Sequence, residues 1–136
     1  MENLEPYLDK FSESGRRVLI GALDESRRRS QNCVSVAHIL HALTETEKEL
    51  FDSKMRELSV DPNSVRSEIE KHLEDSRVHL GERIRVMPET TELFQDSLNR
   101  ARSQNRRVIE AKDILYFLIA YKYSLLNNIL RNLGKV

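Results

Sequence analysis

The sequence predicts an all-α domain made of two helical repeats related by a pseudo-twofold axis, with about seven helices. Three observations carry this. First, 39% apolar and 32% charged residues, with only four Gly and three Pro, are the composition of a folded helical chain, neither disordered nor fibrous. Second, apolar residues recur at i, i+3, i+4 and i+7, the spacing of one helix face. Third, a shift of 75 residues, which carries Phe11 onto Val86, lays one half of the chain over the other without a gap.

The first helix is expected over 12–29, with Val18, Leu19, Ala22, Leu23 and Ser26 on its inner face behind Phe11. The shift places Val86, Leu93, Phe94, Ser97, Leu98 and Ala101 on the same positions, and Pro88 opens that second long helix. A short extended turn follows in each repeat, NCVSV and RRVIE. Cys33, Val34, Val36, Ile39, Leu40 and Leu43 then fall on Val108, Ile109, Ala111, Ile114, Leu115 and Leu118, predicting short helices near 36–44 and 111–120. Another short helix follows in each, near 47–58 and 123–133, where Leu50, Met55 and Leu58 match Leu125, Leu130 and Leu133. Asp61-Pro62 opens a fourth helix in the first repeat, since Asp caps and Pro is tolerated in a first turn. Val136 stands opposite Asp61, so the second repeat lacks that helix. Residues 1–136 thus read as one domain: repeat one at about 11–74, a linker at about 75–86 that contains Gly81 and no periodicity, and repeat two at about 87–136.

Composition and motifs narrow the function. Lys plus Arg equals Asp plus Glu, 22 each, so no overall field holds the chain on nucleic acid or an anionic membrane. The single cysteine, Cys33, has no partner for an internal disulfide and reads as a small buried apolar residue. No apolar run approaches the length of a membrane span, and MENLEPYLDK is too polar for a signal peptide, so a cytoplasmic monomer is expected. Gly15, Gly21, Gly81 and Gly134 never form a phosphate-cradling loop, and no Gly-x-Ser-x-Gly, Cys-x-x-Cys or His-Glu-x-x-His is present. The expectation is therefore no enzyme, no cofactor and no ATP site. His38 and His41 could present two imidazoles to one metal, but no third ligand is apparent, and the expectation is no metal. Arg27-Arg28-Arg29 and Arg106-Arg107 fall at the ends of the long helices. Solvated cations meeting the helix dipole suit them better than a nucleic-acid patch, because no aromatic residues interleave them.

Taken together, Phe11-Ser12-Glu13, Val18-Leu19, Asn32 and Ala37-His38-Ile39-Leu40 in the first repeat, with Ala101-Arg102, Val108-Ile109 and Ile114-Leu115 in the second, resemble the double Clp repeat. This is the N-terminal domain ahead of the ATPase rings in ClpA, ClpB and ClpC chaperones, and the resemblance covers Phe11 to Val136. It implies a structural role for His38. It also implies a module that docks protein substrates or adaptors for a Clp-type ATP-dependent unfoldase or protease, either tethered to the ring or as a free-standing accessory subunit. One branch of the family binds phosphorylated arginine through a glutamate in each repeat. Here Ala37 and Lys112 stand at those places, which argues against that activity. The alternative function is a DNA-associated helical protein using its arginine clusters.

The stretch YFLIAYKY holds four of the aromatic residues in eight positions. Tyr116, Phe117, Tyr121 and Tyr123 correspond to His41, Ala42, Thr46 and Lys48, so some aromatics occupy places that the first repeat leaves polar. They either fill space left by the absent fourth helix or belong to a partly exposed recognition surface, where Tyr and Phe give contact area at low entropic cost. The candidate protein-binding residues are Ser12 and Met87, which the shift superposes, together with Lys112, Tyr116, Phe117, Tyr121 and Tyr123.

Overall fold

Ser12 starts the first helix because its hydroxyl accepts the Gly15 N–H (3.2 Å), satisfying one of the unpaired amides of the first turn. The computed structural model, which describes residues 7–31, 33–74, 85–120 and 124–133, places helix α1 at Glu13–Arg28. Strand β1 (Cys33–Val34), α2 (Val36–Thr46), α3 (Lys48–Glu57) and α4 (Pro62–Glu74) follow. The second repeat contributes β2 (Arg85–Val86), α5 (Pro88–Ser103), α6 (Ala111–Ile119) and α7 (Ser124–Asn132). Both ends of α5 lie 75 residues beyond those of α1. Both helices finish at a left-handed residue, Ser30 (φ 56°) or Asn105 (φ 62°). That turn lets Gln31 N–H reach the Ser26 carbonyl and Arg106 N–H reach that of Ala101, closing each helix with paired carbonyls. Among the described residues no counterpart of α4 follows α7.

The pseudo-twofold axis passes between two short exchanges of backbone. Val86 pairs with Val34 in a parallel ladder and Met87 N–H donates to the Val34 carbonyl (3.1 Å). In the mirror arrangement Phe11 bridges Ile109, and Ser12 N–H donates to the Ile109 carbonyl (2.9 Å). Each repeat therefore supplies its lead-in segment to the turn of the other. Arg85 and Val86, at the end of the expected linker, are strand residues; residues 75–84, including Gly81, lie outside the described residues. The close approach also explains Gly15: a Cβ there would stand 2.3 Å from the Ile109 oxygen. At the equivalent place Thr90 instead donates its hydroxyl to the Val34 carbonyl (2.8 Å).

The predicted inner faces of both long helices are buried, and their side chains join one cluster with Ile39, Leu40, Phe51, Ile109 and Ile114. Neither repeat has a core of its own. Tyr7, ahead of the predicted repeat, belongs to this cluster too: its ring tilts against Phe94 at 6.3 Å and its hydroxyl donates to Gln95 Oε1 (2.8 Å). No helix among the described residues is long and apolar enough to cross a membrane.

Candidate protein-docking site

Glu47 interrupts the chain between α2 and α3 with a non-helical backbone (φ −123°, ψ 54°), and the resulting corner projects toward the second repeat. Opposite it stands the first turn of α6, held by Ala111 N–H donating to Ser14 Oγ (3.0 Å). A cleft of about 560 Å³ lies between the corner from Thr46 to Leu50, the turn from Glu110 to Lys112, and Ser14. Its walls carry both signs of charge. Arg17 pairs with Glu47 (2.9 Å) and Glu13 (3.2 Å), and the Lys112 ammonium lies 3.7 Å from Glu110. Leu50 adds an exposed apolar surface. No nucleophile stands beside a base here: the Ser14 hydroxyl meets Ala111 N–H and Ser12 Oγ (3.1 Å). The cleft thus brings hydrogen-bonding, charged and apolar groups together on one open surface.

Of the residues singled out from sequence, Lys112 lines the cleft and Ser12 reaches it through Ser14. Met87, half-buried, occupies the N-cap position of α5, as Ser12 does that of α1, but makes no side-chain cap bond. Tyr116 lies one turn after Lys112 on α6, exposed, with the Arg100 guanidinium 3.8 Å above its ring. Phe117 packs edge-on against it (5.0 Å) and is partly buried against the core. The YFLIAYKY stretch is thus divided: Tyr116 faces outward and Phe117 inward, while Tyr121 and Tyr123 lie outside the described residues. Leu50, Glu47 and Ser14 were missed. Leu50 matches Leu125 in the apolar pattern, and periodicity alone cannot show that a helix end leaves it open.

Each repeat buries one polar pair at matching positions, with different chemistry. In the first, His38 Nε2–H donates to Gln31 Oε1 (2.6 Å), whose amide donates to the Leu73 carbonyl (2.7 Å). His38 Nδ1 accepts the Ser35 N–H (3.2 Å). Both ring nitrogens are therefore used, leaving none for a metal. Burial disfavours the charged imidazole, Arg29 adds repulsion, and the His38 pKa falls to about 4. In the second repeat Asp113, fully buried, accepts two bonds from Arg106 (2.7 Å each) and one from Glu110 N–H (2.9 Å). Hydrogen bonding to Asp113 raises the Arg106 pKa.

The arginine clusters need correcting accordingly. Arg106 is not a solvated cap but the partner of a buried carboxylate, and Arg29, also partly buried, pairs with Glu25 (2.7 Å) and Glu70. Burial pushes the Glu25 carboxyl up, but hydrogen bonds from Arg28 and Arg29 outweigh it and hold it below the usual range. Arg27, Arg28, Arg102 and Arg107 are exposed. Cys33 is buried, which pushes its thiol pKa up. Among the described residues no group of three or more His, Cys, Asp and Glu side chains could hold a metal.

The fold is thus two interlocked helical repeats around a shared core, with an open polar cleft between them. A family model of the Clp repeat (R) N-terminal domain matches residues 10–133, and the chain belongs to that family, whose members are the non-catalytic, protein-binding modules of Clp ATPases. A search of curated protein sequences gave no match. Solved structures share the fold. The N-terminal domain of Hsp104 from Candida albicans superposes with a TM-score of 0.82 at 12% identity, covering 93% of this chain and 83% of that one. The N-terminal domain of the ClpV1 ATPase of an E. coli type VI secretion system gives 0.83 at 18%, covering 100% and 83%. That of the chaperone ClpD from Arabidopsis thaliana gives 0.70 at 14%, covering 94% and 87%.

Proposed function

We propose that this domain docks protein substrates or adaptors for a Clp-type ATP-dependent unfoldase or protease, and that it has no ATPase activity of its own. The cleft between the α2–α3 corner and the start of α6 carries this reading. It is open, has both charges and an exposed Leu50, and offers a polypeptide anchors for side chains of either sign beside an apolar one. Ser12 supports the cleft wall and Lys112 contributes an ammonium to it. Raising the local concentration of a client near a pore requires only moderate affinity in such a module. The arginine clusters give the DNA-binding alternative little support, because Arg29 and Arg106 are committed to carboxylates. The setting in which the domain works is taken to be cytoplasmic.

The test is a titration of the full chain with a permanently unfolded polypeptide, reduced and carboxymethylated, followed by amide chemical shifts. Shifts are expected at Glu47 to Leu50 and Glu110 to Lys112, with Leu50→Asp weakening binding about tenfold. An unchanged affinity in Leu50→Asp, or no binding by the parent chain, would refute the reading.

A further inference from the structure

The carboxylates that line the cleft, Glu47, Glu49 and Glu110, are not equally available to a client. Glu110 is engaged by Arg106 (2.7 Å). Glu49 stands exposed in water, where a carboxylate gains little from an ion pair. Glu47 is different: its side chain is only 13% exposed, so a cation that reached it would be much less screened. In the folded chain that place is already taken. Arg17 of α1 donates to Glu47 Oε1 at 2.9 Å, although Arg17 is not itself among the residues that line the cleft.

The packing of α1 on α2 puts Arg17 there. At Gly21 the two helices approach so closely that a Cβ would stand 3.2 Å from Ala42 Cβ and 3.3 Å from Thr46 Cγ2. Arg17 lies one turn before Gly21 on the same face of α1, and from there its long side chain reaches the corner at Glu47. Its other contact, with Glu13 (3.2 Å), is to a side chain that is 90% exposed and holds it only weakly. The Arg17 side chain, 48% exposed, is thus anchored mainly by Glu47, and each neutralises the other. Glu110 gives no comparable point of control, because Arg106 also carries the buried Asp113.

We infer that Arg17 is a specificity-determining residue of the docking cleft. By engaging Glu47 it withholds from the client the least exposed of the cleft's carboxylates, and so keeps the cleft from selecting basic segments. A Lys or Arg of a client must displace Arg17 before it can pair with Glu47, and this is a cost built against basic polypeptides. Without Arg17, Glu47 is an unpaired carboxylate in a sheltered wall, and a client cation takes the vacated place. The inference rests on the protein-docking reading of the cleft and adds to it a selection among clients by charge.

The probes are two end-capped peptides built on one Gly, Ser and Leu sequence, with Lys in one and Glu in the other at the same places. Each is titrated into the isotopically labelled full chain and into its variants, with thermal melts by circular dichroism to show that the variants stay folded. Arg17→Gln should move the ratio of the two affinities about tenfold in favour of the Lys peptide, and by less at high salt. Arg17→Lys should keep the ratio of the parent. Arg17→Gln combined with Glu47→Gln should return to that ratio, because the carboxylate that Arg17 masked is then gone. A purely structural role for Arg17 predicts instead that both peptides weaken together. That result, or a shift that persists in the double variant, overturns the inference while leaving the docking reading in place, provided that the parent chain still shows amide shifts at Glu47 to Leu50. Absence of those shifts in the parent with either peptide overturns both.

Discussion

Lowering the pH should destabilise this domain through His38. The imidazole is buried and neutral, Nε2–H to Gln31 and Nδ1 accepting from Ser35, with a pKa of about 4 in the fold against 6.5 in the unfolded chain. Between those values the unfolded state holds a proton that the folded state refuses, so stability rises with pH across the window. This contribution is complete above pH 6.5, is lost as pH falls toward 4, and is flat below. At about 1.4 kcal/mol per pH unit, the loss is on the order of 3 kcal/mol, a large share of the stability of a small domain. The Glu25 carboxyl, whose pKa is held below its usual 4.5, adds its own loss only at lower pH. The assay is urea denaturation followed by circular dichroism at intervals from pH 7.5 to 4, for the parent chain and for His38→Gln. The variant starts weaker by about 1–3 kcal/mol for its lost hydrogen bonds. Its stability should nevertheless depend less on pH than that of the parent between 6.5 and 4. Equal slopes in the two proteins, or an NMR titration of His38 with a midpoint near 6.5, would refute the argument.

Arg106→Gln strands the buried Asp113 carboxylate and should cost about 3–5 kcal/mol in the same denaturation assay. Arg106→Gln with Asp113→His, which installs the neutral pair of the first repeat, should recover much of that loss; no recovery would show that the two sites are not interchangeable. Gly15→Ala must displace the Ile109 carbonyl from 2.3 Å and should destabilise by about 1–3 kcal/mol, whereas a neutral melt would mean that the interlocked backbone yields. Phosphoarginine should bind weakly in a calorimetric titration, since Ala37 is buried and Lys112 repels a guanidinium; tight saturable binding would contradict this.

What the amino-acid order determined by itself was the repeat. Helical period, the Pro at the start of α4 and of α5 and the gapless shift depend on local spacing, so the inner faces of α1 and α5 and the resemblance to the Clp repeat domain were legible without coordinates. Gln31 and Arg106 occupied equivalent positions, as did His38 and Asp113, but only the folded chain showed that each pair meets in the interior. Their partners lie seven residues apart around a turn, and polar identity says nothing of burial. The exchange of Phe11 and Val86 between repeats likewise rests on hydrogen bonds across large sequence separations, which periodicity does not record. The division of YFLIAYKY into an outward Tyr116 and an inward Phe117 was decided the same way. Exposure depends on which neighbour covers a face: His41 on α2 lies under α4, whereas its counterpart Tyr116 on α6 is exposed among the described residues. A repeat in the sequence carries over the backbone and the core, whereas the surface follows from the neighbours each copy meets in three dimensions.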